Sequence, residues 1–514
     1  MPTKNTDYLV ELIVSLTKSE KRNFSLMAKK AGRSQVLYQE LYNYVVKHGT
    51  FDEEDILRKL PNIKKSQLSN LKANLYKQVL RSLRDIHKEG YLEIKAREHF
   101  DFAKVLYAKG QYNASLEMLA KVKKLARRTQ KLPLEYLAHS FEKHIESQHV
   151  TGSMSPKAIV LVDESRAMIS ELQLTDQLAN LSLLMYGKYL QLGVVRSEVE
   201  QKELTDFVQE HVPAGLQQHK LSFYQQLYLY QAYVWYYIML QNFAKYYQYA
   251  QRWTNLFEAN PEMTQIETVT YIKGIHNVLN ALYLSDKAKR FEVTLQKFSR
   301  FNEDNQYDLS INELSQYNLF KYIHVLNLVF FKANYQEGVA QADAIAELLR
   351  QQPTTWDLNR RIVFHYKLAC VYFGAADYDS TITHLNHITN THTPGLKEDV
   401  QCFARILKLI THFDIGDDQL VSYDVRSVFR FLLKMKELQA VQLEILKFIR
   451  KIPSILPANI NEEFETLRRK LIPLEQDMLQ RRPFLYLDII SWLDSKTLGI
   501  TMAEAIKRRR AART

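Results

Sequence analysis

Two short stretches of the 514-residue chain carry residues that do chemistry, at helical spacing. His384, His387 and His392 form the densest histidine cluster, and the three-residue step between the first two puts them on one helical face. Neither cysteine nor carboxylate stands close in sequence to complete a metal set, so polar residues near a helix end account for them. Glu142, Glu146 and His149 also share a face, and Glu146-x-x-His149 has the form of half a di-iron carboxylate site. Such a site needs a second Glu-x-x-His and further glutamates from neighbouring helices, and the sequence holds no second copy. The glycines are scattered singly: neither G-x-G-x-x-G nor G-x-x-x-x-G-K-[ST] can be written, and G-x-S-x-G and H-E-x-x-H are missing too. The sequence therefore points away from an enzyme and calls for no cofactor or metal.

The elements that would position any site are long helices. Gly numbers 14 and Pro 12, where average usage would give roughly two to three times as many of each. The prolines fall between periodic segments, as at Pro61, Pro133, Pro156, Pro261, Pro353, Pro394, Pro453 and Pro457, which leaves long stretches free to be helical. Start signals are explicit near the amino terminus, where Thr17 with Glu20 and Thr50 with Glu53 have capping-box spacing. Ser155-Pro156 marks another start after Gly152, and the acidic run Asp52 to Asp55 suits the positive end of a helix dipole.

Composition narrows the setting. The only cysteines, Cys370 and Cys402, lie in apolar helical contexts, so a disulfide framework is excluded and a reducing compartment is expected. Asp7 and Glu11 interrupt the first apolar stretch, which lacks a signal-peptide layout. The longest aromatic and aliphatic run, Tyr233 to Leu240, is far short of the ~20 residues that span a bilayer. A cytoplasmic protein with no membrane contact is the expectation. The charge of +12 is uneven: residues 1–131 hold 27 Lys and Arg against 14 Asp and Glu, residues 132–506 hold 37 against 43, and the last eight residues add five cations. Basic ends on a mildly acidic body suit an anionic partner, but a solvated face and a frayed tail account for them more simply.

From about residue 91 the pattern changes to long paired helices. In four places a short turn is followed by an aromatic that opens the next helix: Gly110-Gln-Tyr112, Gln241-Asn-Phe243, Ala333-Asn-Tyr335 and Ala376-Asp-Tyr378. With Ala369 at a tight helix contact and Tyr372, Tyr378, Leu385 and Ile388 at large apolar positions, these residues resemble the tetratricopeptide repeat family; Thr381 departs from the small apolar residue that family prefers. The turn aromatics are 131, 92 and 43 residues apart, close to three, two and one units of about 44, against 34 in a strict repeat of this kind. The resemblance implies an all-α superhelical array of antiparallel helix pairs at 91–452, preceded by a basic helical region at 1–90 and followed by a helical cap and basic tail at 453–514. Arg426 to Lys434 and Phe484 to Lys496 are similar to segments of uncharacterised bacterial proteins of this kind, which implies no activity.

Two surfaces emerge. In the register of the resemblance, Tyr228, Gln231, Trp235 and Ile238 face a concave groove, joined by Phe320, Ile323, Asn327 and Phe330 and, farther on, by Tyr366 and Phe373. Tyr and Trp combine large apolar area with a polar handle, so the expected partner is a protein or peptide. The second surface is a helix expected from about Lys65 to His87, after a Pro61-Asn62 turn that loosely resembles a helix-turn-helix. There Gln67, Asn70, Asn74, Lys77, Arg81 and Arg84 form a polar stripe opposite Leu68, Leu71, Leu75, Val79 and Leu83, and such side chains can meet base edges and phosphates. A binding scaffold is the leading reading; a nucleic-acid-binding regulator with a helical sensor array is the alternative.

Overall fold

The computed structural model describes residues 7–29, 36–148, 154–216, 220–304, 309–351, 356–391, 398–432, 440–451, 455, 459–477, 479–481, 483–484 and 487–512. His149, Gly152, Pro353, His392, Pro394, Lys434, Pro453 and Pro457 lie outside them. The described residues form 25 helices and no strand, and the scarcity of Gly and Pro leaves those helices long and uninterrupted. No described helix is long and apolar enough to cross a membrane. The chain divides into two compact units, Met1–Gln173 and Leu174–Thr514.

The first unit opens with α1 (Tyr8–Ser15), α2 (Lys18–Lys29), α3 (Val36–His48), α4 (Glu53–Lys59) and α5 (Lys65–His87). Leu9, Ile13, Phe24, Leu41, Val45 and Ile56 pack with the apolar stripe Leu68, Leu71, Leu75 and Val79 of α5 in one core. The expected capping box at Thr17 forms, with the Thr17 N–H donating to Glu20 Oε2 at 2.7 Å and the Glu20 N–H to Thr17 Oγ1 at 3.2 Å. The one expected at Thr50 does not: Asp52, immediately before α4, accepts from the N–H groups of Glu54 and Asp55 and takes the cap instead. Next come α6 (Leu92–Ala108), α7 (Tyr112–Arg128) and α8 (Leu132–Gln148), with a separate core around Ala103, Leu119, Ala138 and Phe141. Ser115 seals the first pair by donating to the Ala103 carbonyl at 2.8 Å. The unit boundary falls inside α9, a 39-residue helix (Met154–Leu192).

Beyond α9, the second unit begins with α10 (Glu198–His211) and then folds as successive hairpins. These are α11 (Phe223–Met239) with α12 (Phe243–Glu258), α14 (Thr268–Leu284) with α15 (Ala288–Asp304), α16 (Ile311–Lys332) with α17 (Tyr335–Gln351), α18 (Leu358–Gly374) with α19 (Tyr378–Thr389), and α20 (Glu398–Ile415) with α21 (Asp418–Leu432); short α13 (Pro261–Ile266) joins the first two. The first helix of one hairpin packs on the first helix of the next in the series α14, α16, α18, α20, and each second helix packs on the hairpin that follows. The chain then runs through α22 (Ala440–Lys451), α23 (Ile460–Gln476), α24 (Ile489–Leu498) and α25 (Met502–Ala511).

One backbone device closes all five hairpins. Gln241, Asp286, Ala333, Ala376 and Gly416 have φ of 53°, 53°, 46°, 60° and 83°, in the left-handed region, at intervals of 45, 47, 43 and 40 residues. In each, the next N–H returns to the carbonyl five residues back, as in Asp377 to Tyr372 at 2.9 Å and Asp417 to His412 at 3.1 Å. That next residue caps the second helix in three of them: Asn242, Asp377 and Asp417 accept from the N–H groups of Lys245, Ser380 and Leu420. The expected turns at 241, 333 and 376 are all present, and the 92-residue interval is filled at Asp286, where Ala288 rather than an aromatic opens the helix. The 131-residue interval is different: it contains one such turn at Gln130, then α9 and α10, where two further hairpins were expected.

Hairpins this tight need small residues at the seam. A Cβ on Gly374 would run into the Tyr335 ring, and one on Gly338 into Val329. Gly374 and Ala376, two residues apart, should therefore respond oppositely to exchange. Gly374→Ala should destabilise by about 1–3 kcal/mol through overpacking. Ala376→Gly should stabilise by about 0.5–1 kcal/mol, because relief of left-handed strain exceeds the added unfolded-state entropy. Urea melts of the two variants followed by far-ultraviolet circular dichroism check both signs.

Candidate functional site

A cavity of about 790 Å³ opens in the second unit, between the first helices of the hairpins and the segment that follows them. Its floor is a ladder of helical faces: His276, Asn280 and Tyr283 of α14, Ile323, Asn327 and Phe330 of α16, and Val363, Tyr366, Lys367, Cys370 and Phe373 of α18. The steps of three and four residues place each set on one side of its helix. Ile238 of α11 and Val400 and Leu407 of α20 complete the floor.

The opposite wall carries three arginines and comes from residues 475–510. Arg509 of α25 holds Glu475 at 2.8 Å and Asp488 at 2.8 Å. Arg510 donates to the carbonyls of Phe330 and Phe331 and lies over the Phe331 ring. Those carbonyls belong to the last turn of α16, where unsatisfied acceptors and the negative end of the helix dipole favour a cation. Met502 and Ala503 pack against the hairpin core, and Ile506 is buried within it. The stretch 507–513, expected as a basic tail, is thus helical through Ala511, with two of its arginines tied to partners.

A polar chain runs beneath the floor. His276 Nδ1 and His324 Nε2 are 2.9 Å apart, Asn327 Nδ2 is 3.3 Å from His324 Nδ1, and Lys367 Nζ donates to Asn327 Oδ1 at 2.6 Å. Phe320 stacks on His276 with centroids 4.1 Å apart. Burial, then the positive charges of Arg360, Lys273 and Lys367, push His276 down to about 3. Burial, then His276 and Lys367, hold His324 well below its ordinary value. Burial alone brings the Lys367 amine down to about 8, against a small opposing pull from Cys370, and pushes the Cys370 thiol up to about 12.

The structure brings together six of the ten expected groove residues, Ile238, Ile323, Asn327, Phe330, Tyr366 and Phe373, around the cavity. Phe320 turns instead onto His276. Tyr228, Gln231 and Trp235 do not reach the cavity: Trp235 is packed by Tyr186 and Tyr189, each at 4.9 Å, and Gln231 accepts from Ser182, all three being residues of α9. Tyr228 lies 6.1 Å from the Tyr224 ring. The length of α9 is the reason, since its second half supplies the apolar cover for this face of α11. Lys367 and His276 line the cavity without having been expected as site residues; a histidine inside an apolar run, as in Ile275-His276 and Ile323-His324, was the available signal.

The remaining candidates have partners of their own. His365 Nδ1 sits 2.9 Å from His384 Nδ1, and the His365 and His387 rings stack at 4.5 Å. Glu142 meets Lys123 at 2.5 Å and Glu146 meets Lys157 at 2.5 Å. Among the described residues, no group of three or more His, Cys, Asp or Glu is arranged to hold a metal ion. On α5, Gln67, Asn70, Lys77, Arg81 and Arg84 are exposed and Asn74 is half-buried, bonded to Asn70 at 3.2 Å. The helix is pinned from behind by Lys72–Asp7, Asn23–Ser82 and His87–Glu20 contacts of 2.6, 3.0 and 2.6 Å. No protein-family model, curated protein or solved structure matches the chain.

A histidine kept neutral by folding binds fewer protons than it does unfolded, so its contribution is intact above the ordinary value of 6.5 and is lost as pH falls towards the folded value. His365 and His384, pushed by burial to about 3 and about 4, act in the same direction. The second unit should therefore lose stability from pH 7 to pH 5, by up to about 1.4 kcal/mol per pH unit for each such histidine. His276→Gln, which cannot take up a proton, should flatten that slope by one histidine's share; thermal melts across the range test it, and an unchanged slope would count against the assignment.

Proposed function

We propose that the chain is a protein- or peptide-binding scaffold, in which a tetratricopeptide-like superhelix of long repeats holds a helical ligand against an aromatic concave face. The observation that carries this reading is that the face has an occupant. Helix α25 lays Met502 and Ile506 against the hairpin core and sets Arg510 on the end of α16. Amphipathic helices bind apolar grooves through anchors spaced in this way, and four residues separate these two. The repeating left-handed turns, the packing of first helix on first helix and the small residues at the seams support the repeat assignment. On this reading α25 is a ligand carried in the same chain, and an external helix of like chemistry competes with it.

A fluorescein-labelled peptide of residues 500–514 tests the proposal. It should bind a chain ending at residue 499 with a Kd on the order of 10 µM or tighter, and the full chain more weakly. Phe330→Ala in the shortened chain should reduce the affinity by about tenfold, the effect of removing an aromatic anchor. A shortened chain that keeps its helical circular dichroism and takes up no peptide overturns the reading.

A second reading, nucleic-acid binding through α5, has its own support. The first unit carries 30 Lys and Arg against 20 Asp and Glu, a balance of +10 out of +12, and the polar stripe of α5 faces solvent. If α5 meets duplex DNA, replacing Lys77, Arg81 and Arg84 by Ala should lower the logarithmic salt slope of binding by up to ~2.7, at about 0.9 per phosphate. Anisotropy titrations at two salt concentrations measure that slope, and no binding at low salt ends this reading for duplex DNA.

A further inference from the structure

Lys367 enters the cavity from the middle of α18 and meets no carboxylate among the described residues. Its ammonium has one hydrogen-bond acceptor, Asn327 Oδ1 at 2.6 Å, and lies 5.2 Å and 5.8 Å from the ring centroids of Phe330 and Tyr283. Arg481, on the opposite wall, is in a similar state: it donates to the Gln241 carbonyl at 2.8 Å and lies over the Phe243 ring, while its buried Nε has no hydrogen-bond partner. The acidic residues of the lining do not answer these charges, since Glu475 and Asp488 are engaged by Arg509 and Asp286 stands exposed at a turn. Charge withdrawn from bulk water and left without a counter-charge is costly, and an anion beside it removes that cost. The cavity volume is that of small-molecule sites, and its lining joins apolar and aromatic side chains to a strongly polar wall that carries charges of both signs.

We propose that the cavity binds a small amphipathic anion, a carboxylate with an apolar body, whose charged group pairs with Lys367 while its body lies along Ile238, Tyr283, Ile323 and Phe330. Asn327 holds the amine in place, and the neutral His276–His324 pair behind it brings no second positive charge. The anion meets the floor and α25 forms the facing wall, with Phe330 bordering both, so the anion is tested on the full chain with α25 in place.

Isothermal titration of the full chain with decanoate, and with 1-decanol as the uncharged counterpart, tests the inference. Decanoate should bind at one site per chain and more tightly than decanol. Lys367→Met, close in shape and without the charge, should weaken decanoate by at least about tenfold and leave decanol within about threefold. Asn327→Asp supplies a second variant, because a carboxylate built into the floor neutralises the amine from within. It should weaken decanoate by a similar factor while raising the thermal midpoint. Lys367→Arg keeps the charge and should retain binding. Absence of saturable decanoate binding, decanol binding as tightly as decanoate, or decanoate affinity unchanged in the Met and Asp variants would each overturn the proposal.

Discussion

The second unit depends on a single backbone event repeated five times: one residue enters the left-handed region, and the next N–H returns to the carbonyl five residues back. The event ends a helix and turns the chain within three residues, so consecutive helices pack against each other. Everything that follows in the cavity is a consequence. With the first helices of the hairpins packed one on the next, the residues four and seven positions apart on α14, α16 and α18 become neighbours, and two histidines, an asparagine and a lysine from three helices form one hydrogen-bonded line. Only Gly416 among the five turn residues avoids steric cost in that conformation. The four others are held there by the packing of the helices on either side.

That constraint also explains which parts of the fold could be read from residues alone. The turns at Gln241, Ala333 and Ala376 were legible because an aromatic follows each at a fixed distance; the Tyr335 ring, for one, fills the seam with the next hairpin, against Gly374. The turns at Asp286 and Gly416 carry the same dihedral angles but open onto Ala288 and Asp418, so no side chain announces them. Length was the harder quantity. A polar residue in a helical stretch reads the same whether the helix continues or ends, and nothing in 154–192 separates one helix of 39 residues from two of ordinary length.

The candidate site was half legible for a related reason. Spacing places Ile323, Asn327, Phe330, Tyr366 and Phe373 on the faces they occupy, because spacing within one helix is a local property. What covers a face is not local. Trp235 lies on the same side of α11 as Ile238, yet one packs against α9 and the other opens on the cavity. Lys367 looks in sequence like any solvated lysine beside a tyrosine; its distinction is that no carboxylate among the described residues pairs with it. The arginines at 509 and 510 read as part of a charged tail because their partners are far away along the chain, Glu475 by 34 residues and the Phe330 carbonyl by 180.

That last distance bears on how the protein is made. Each hairpin joins residues close in sequence and can form as it leaves the ribosome, at a rate set by local contacts. Helix α25 is synthesised after all of them, so for the interval between the completion of α16 and the arrival of Arg510 the last carbonyls of α16 and the apolar floor beside them face water or whatever else is present. A nascent chain in that interval presents an open apolar trough with acceptors at its rim, which is the kind of surface that folding helpers and stray neighbours alike adhere to. The order of translation, rather than the finished shape, therefore decides what first occupies the face that Ile506 and Arg510 finally cover.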